Sequence, residues 1–182
     1  MIEVRWHGRG GQGAVTSVEL LAVAAIAAGK YAQGFPSFGP ERRGAPVAAF
    51  TRIDDKKINV RSGIYEPDVV LILDASLIGM VDVTDGLKPG GKVVVNTTKS
   101  PDEIRKDLNF NGTVATVDGT GIARKEMGVP IANTTMIGAL LKVTGIMELE
   151  AMKDSVEHRF GRIAQKNINA MKRAYDEIKI SN

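Results

Sequence analysis

Hydrophobic positions along the chain follow two periods in alternation. The short apolar runs Ile2 to Trp6, Val69 to Leu73, Val93 to Val95 and Thr113 to Val117 have the length and β-branched content of strands. The continuous run at 69–73 suits a parallel strand buried on both faces. Between such runs, apolar residues recur at threes and fours. Ala14 to Ala28 carries Val15, Val18, Leu21, Ala22, Ala25 and Ile26 at helical spacing, and Gly29 stops it. Lys30 to Phe35 then predicts a second strand that completes a βαβ unit. Val47 to Ile53 and Lys57 to Val60, on either side of Asp54-Asp55-Lys56, predict an antiparallel hairpin. Asp74 closes the 69–73 run at the carboxyl end, where open α/β sheets keep their ligand sites, or else caps a short helix over Ala75 to Met80, and another short helix is expected behind Ser100-Pro101-Asp102-Glu103. A longer one opens at Pro130 to Thr135 and runs through Lys142, with Asn133 or Thr134 placed to cap it or to offer a polar group to a ligand and Gly145 ending it. From Glu148 onward an amphipathic helical region breaks near Gly161. The pattern predicts an α/β fold: a mostly parallel sheet with flanking helices, a β-hairpin insertion and a C-terminal helical segment. At 182 residues the expected organisation is one domain over 1–182, with 147–182 a helical tail packed on it.

Composition narrows the function more than the fold. The chain has no cysteine and two histidines, His7 and His158, so it cannot ligate an iron-sulfur cluster or an ordinary zinc site. No metal-binding and no catalytic residue is assigned. The net charge of +3 lacks the dense basic face with interleaved aromatics of a nucleic-acid binder. No apolar run reaches the roughly 20 residues a membrane helix needs, and no leader pattern stands at the start. A cytoplasmic protein that binds neither nucleic acid nor membrane is expected.

The candidate chemistry lies in two loops. The first is His7-Gly8-Arg9-Gly10-Gly11-Gln12-Gly13-Ala14-Val15-Thr16, set between strand and helix. Glycines at 8, 10 and 13 have the dinucleotide-binding spacing, which permits a tight turn and close approach of a phosphate. Thr16 falls in the first helical turn, where free amides favour an anion. A nicotinamide site also wants a carboxylate at the end of the second strand to hold the ribose, and this chain has Gln33 and Gly34 there. The second loop, Phe35-Pro36-Ser37-Phe38-Gly39-Pro40-Glu41-Arg42-Arg43-Gly44-Ala45-Pro46, has too many prolines and glycines for regular structure. Arg42 and Arg43 are suited to forking a phosphate or carboxylate, or to anchoring an interface.

Together these two loops resemble the gamma subunit of 2-oxoacid:ferredoxin oxidoreductases. The resemblance continues through Arg61-Ser62, Tyr65-Glu66-Pro67-Asp68, Leu73-Asp74, Gly90-Gly91 and Asn133 to Lys142. The form Arg42-Arg43-Gly44-Ala45-Pro46 looks closest to the pyruvate and branched-chain members. The resemblance implies a Rossmann-like subunit, inactive alone, in a complex with alpha, beta and delta subunits that converts a 2-oxo acid, coenzyme A and ferredoxin to acyl-CoA, carbon dioxide and reduced ferredoxin. It further implies that thiamine diphosphate, magnesium and 4Fe-4S clusters reside in those partners. Coenzyme A is the one ligand expected here, with Gly8, Arg9, Gly10, Gly11, Gln12, Gly13, Thr16, Arg42 and Arg43 as the candidate residues. Two alternatives stay open: a pure assembly module of that complex, and a stand-alone nucleotide-binding oxidoreductase.

Overall fold

The computed structural model describes residues 1–37 and 43–181. Among the described residues, seven strands form one sheet: β1 (Ile2–Arg9), β2 (Tyr31–Pro36), β3 (Pro46–Asp54), β4 (Val69–Ile72), β5 (Lys92–Asn96), β6 (Thr113–Val117) and β7 (Lys179–Ser181). Their order is β2-β3-β1-β4-β5-β6-β7, with β1, β4, β5 and β6 parallel to their neighbours in that run. The helices are α1 (Ala14–Ala27), α2 (Pro101–Leu108), α3 (Gly119–Met127), α4 (Asn133–Thr144), α5 (Lys153–Phe160) and α6 (Ala164–Glu177). The predicted α/β class with a C-terminal helical segment holds.

The central strands are buried on both faces, and alternate residues feed two cores. Val4, Trp6, Val69, Leu71 and Val94 join the side chains of α1, α4 and α6 on one face. Val70, Ile72, Val93 and Val95 join Leu77, Val83 and Ile104 on the other. This two-sided burial is why β4 reads as an unbroken apolar run rather than an alternating one. Trp6 is fully buried, and its indole N–H donates to Thr51 Oγ1 at 3.1 Å. α6 packs so closely on α4 that a Cβ at Gly138 would lie 2.0 Å from the Met171 carbonyl oxygen. Only glycine fits there.

Five local expectations are corrected. β3 lies between β1 and β2 and is antiparallel to both, so β1-α1-β2 is a crossover with a strand inserted. The hairpin is β2-β3, not 47–53 with 57–60, which carries no strand. Phe35 and Phe50 explain the choice: they are cross-strand partners with ring centroids 5.4 Å apart, whereas 57–60 has little apolar surface to bury. The helix expected over Ala75 to Met80 is a single 3-10 turn, Ala75–Leu77. α4 has Ala132 at its N-cap with no side-chain cap, so neither Asn133 nor Thr134 plays that role. The last residues, expected as helix, form β7 on the edge of β6.

Other boundaries follow their signals. Ser100 and Glu103 form a reciprocal capping box at α2. Gly161, at φ 50°, separates α5 from a 3-10 turn that leads into α6.

Candidate functional site

The chain runs one way from β1, through α1 to β2, and the other way from β4 to β5. The carboxyl ends of β1 and β4 therefore flank the switch point where open α/β sheets hold ligands. The glycine loop follows β1 there, and Leu73-Asp74 follows β4. Gly11 and Gly13 sit at φ 93° and 81°, a left-handed conformation that other residues adopt at a cost. At Gly13 the space is also taken, because a Cβ would come 2.4 Å from Asn133 Nδ2.

The two predicted loops meet. Gly10 N donates to the Ala45 carbonyl at 2.9 Å, Gly44 N donates to the Gly10 carbonyl at 3.0 Å, and Gly10 bridges Arg43. Arg43 is exposed, with its Cγ at 4.0 Å from a Cβ built on Gly11. Arg42 lies outside the described residues.

Asp74 is the hub of the loop. Its Oδ2 accepts from Gln12 Nε2 at 2.8 Å and from Arg9 Nε at 3.2 Å, and its Oδ1 accepts from Ser76 N and Oγ. Gln12 Oε1 in turn accepts from Arg9 N at 2.8 Å. Partial burial would raise the Asp74 carboxyl, but hydrogen bonds from Ser76 and Gln12 and the charge of Arg9 outweigh it and hold the group below the usual carboxylate range. Asp74 also caps the 3-10 turn, as expected. Arg9 continues to the Gly44 carbonyl at 3.0 Å and Ser76 Oγ at 2.8 Å. The side chains of Arg9 and Gln12 thus brace the loop from behind. What the loop presents forward is backbone, together with Arg43.

In front of it is a crevice lined by Gly11, Gln12, Leu73, Asn96, Thr120 and Asn133, among others. The N-termini of α1 and α4 both reach this crevice, and neither has a side-chain cap. Asn133 Nδ2 ties them together by donating to the Gly13 carbonyl at 3.5 Å. Helix-terminal amides and the positive ends of two helix dipoles make the crevice favourable for an anion. Its volume, about 110 Å³, is well below the roughly 300–1,000 Å³ of pockets that enclose a drug-sized ligand, so it suits one charged group of a larger molecule. Thr16, one turn into α1, lines neighbouring grooves instead. Asn96 and Thr120, which are not among the residues expected from sequence, form the far wall: Asn96 Nδ2 donates to the Leu73 carbonyl and to Thr120 Oγ1, both at 2.8 Å. The signal for Asn96 was a polar residue at the carboxyl end of a buried strand, whereas Thr120, in the first turn of α3, had none.

Where a ribose-binding carboxylate would stand, Gln33 bonds the Val60 carbonyl and Arg52, and a Cβ at Gly34 would press within 2.7 Å of the Val18 carbonyl oxygen on α1. His7 is no general base at neutral pH. Burial first, then the adjacent Arg5 cation, lowers its pKa to about 4, and its Nε2 accepts from Arg5 Nε at 3.1 Å.

A family model described as pyruvate ferredoxin/flavodoxin oxidoreductase matches residues 3–177. The chain belongs to that family. It is 54% identical over 179 residues to the pyruvate/ketoisovalerate oxidoreductases common subunit gamma of Thermococcus kodakarensis, covering 97% of each chain. It is 52% identical to the pyruvate synthase subunit PorC of Methanocaldococcus jannaschii, covering 98% of this chain and 97% of that one. The solved pyruvate oxidoreductase subunit of Thermotoga maritima superposes with a TM-score of 0.89 at 42% identity, covering 100% of this chain and 98% of that one. As a member of the pyruvate ferredoxin/flavodoxin oxidoreductase family matched end to end by gamma-type subunits, the chain is a subunit of a pyruvate synthase type of oxidoreductase, as the two loops led one to expect. Among the described residues no cluster of His, Cys, Asp and Glu could hold a metal ion, and no helix is long and apolar enough to cross a membrane.

Proposed function

We propose that this gamma-type subunit holds a phosphate of coenzyme A in the crevice at the carboxyl ends of β1 and β4, within a complex that oxidises pyruvate to acetyl-CoA. Carbon dioxide leaves, and two electrons pass one at a time to ferredoxin. The observation that carries the reading is the convergence of two uncapped helix N-termini on one small crevice beside an exposed arginine. Coenzyme A presents a pyrophosphate and a ribose 3′-phosphate. The amides of Gly11 and Gly13 and of the first turn of α4 suit one of them, the Gln12 amide between them being held by the Arg9 carbonyl at 3.0 Å, and Arg43 suits another. Arg9, Gln12 and Asp74 serve by keeping the loop in the one shape that turns those amides outward. Gly8 and Gly10 serve by letting strand and loop close on Leu73 and on 43–45. Thiamine diphosphate, magnesium and the clusters belong to the alpha, beta and delta partners, in keeping with the absence of cysteine here.

Titration of the purified complex with coenzyme A tests this. Arg43→Ala is expected to weaken coenzyme A about tenfold while the KM for pyruvate stays unchanged. An unchanged affinity for coenzyme A would remove the assignment and leave the chain as an assembly module.

A further inference from the structure

We infer that the outer surface of α1, together with the groove between the α3–α4 connection and the α5–α6 bend, docks a partner subunit through an apolar segment edged with carboxylates. This rests on the reading of the chain as one subunit of a larger complex.

The first observation is α1 itself. Its outward stripe, Thr16, Glu19, Val23 and Ile26, follows helical spacing, yet it carries one charge where a solvent-facing helix normally carries several. Val23 and Ile26 are each 56% exposed. The second observation is the groove, whose walls are Met127, Val129, Ile131, Phe160 and Ile163. Ile131 and Ile163 are about half exposed, at 49% and 51%. The two areas are continuous, because Thr16 and Arg159 line both the groove and the adjoining hollow that contains Glu19, Leu20 and Val23. A contiguous apolar surface of this kind, with polar residues at its edge, has the composition of an interface.

Charge selects the occupant. Arg159 and Lys166 border the groove, and among the described residues neither has an ion-pair partner. Arg173, on the same helix as Lys166, is by contrast held by both Glu126 and Glu177. A second copy of this chain would bring the same two cations, Arg159 and Lys166, against a single lining carboxylate, Glu19, so self-docking leaves like charges facing. A partner whose apolar segment is flanked by aspartate or glutamate satisfies both cations and covers Val23, Ile26 and Ile163. The groove also shares Ile131 and Asn133 with the glycine-loop crevice, so a partner seated there would close one side of the site.

The test uses the full complex, purified through a tag on this chain, and the isolated chain. Hydroxyl-radical footprinting should show oxidation of Val23, Ile26, Phe160 and Ile163 falling severalfold in the complex. Carbodiimide coupling should join Lys166 to a carboxylate of another subunit. The double variant Arg159→Glu/Lys166→Glu, checked for fold by circular dichroism, should weaken assembly at least about tenfold, whereas Arg159→Lys should assemble as wild type. A complex in which these residues oxidise as they do in the isolated chain, or Lys166 coupling to a second copy of this chain, overturns the docking surface and leaves the subunit reading intact. Failure of the tagged chain to bring any thiamine- or cluster-binding subunit with it overturns both.

Discussion

Acid should destabilise this protein through His7 well before its carboxylates titrate. His7 stands on β1 with Arg5 two residues earlier on the same face, and Arg5 Nε donates to His7 Nε2 at 3.1 Å. The Arg5 guanidinium is itself held by the carbonyls of Val83 and Asp85, so it cannot swing away without breaking the tie between β1 and the 82–86 segment. A proton on Nε2 would set two donors against each other beside a cation. The folded pKa is accordingly about 4, against 6.5 for an ordinary histidine. The sign follows from linkage: a lowered folded value means the unfolded chain takes up the proton first. The neutral ring's contribution is thus complete above about pH 6.5 and is lost as pH falls toward 4, with no further loss below. Integrated between pH 7.5 and 4.5, a shift from 6.5 to 4 costs about 2.5 kcal/mol. Urea unfolding across that range, on wild type and on His7→Gln, isolates the effect, because the glutamine offers Arg5 an amide oxygen and does not titrate. Wild type should lose about 2.5 kcal/mol more than the variant over the range. Parallel stability curves, or a His7 ring resonance titrating near 6.5 in the folded protein, would refute the reasoning.

Three further outcomes are expected. Asp74→Asn should cost about 1–3 kcal/mol and speed amide exchange at Arg9 and Gln12, since it weakens the hub that orders the glycine loop. The Asp74 carboxylate's own contribution is present above its ordinary value near 3.8 and is lost as pH falls through its lower folded value, a window below that of His7. Gly138→Ala should lower thermal stability sharply or prevent folding, because the new methyl meets the Met171 backbone rather than a side chain that could move; a melting temperature within a few degrees of wild type would contradict the α4–α6 packing. Arg52→Ala should cost about 1–3 kcal/mol in a denaturant titration, since Arg52 is 1% exposed and its loss takes the 2.9 Å donor from the Gly63 carbonyl and the 2.7 Å donor from Glu3, which keeps only Lys88 at 3.4 Å.

The sequence by itself determined the parts whose cause is local. Buried parallel strands announce themselves by continuous β-branched runs, so β4, β5 and β6 were legible nearly to the residue. The capping box at Ser100 and the break at Gly161 were legible for the same reason. So was the glycine loop, because positive φ and close approach are demands that few residues meet, and its residues together with those of the second loop sufficed for the family. Tertiary structure decided the rest. Nothing local tells Val47 to Ile53 to pair with Tyr31 to Pro36 and to enter between β1 and β2; that choice came from stacking Phe35 on Phe50 and from room for α1 over Gly34. The three-residue β7 has no period to read, and it exists because the edge of β6 offers it hydrogen bonds. Most of all, Arg9 and Gln12 could not be told from ligand-binding side chains while Asp74, sixty-two residues beyond Gln12 in the chain, was not known to stand against them. Sequence spacing selects residues able to meet a phosphate, but which of them face it is set by the long-range contacts that occupy the others first.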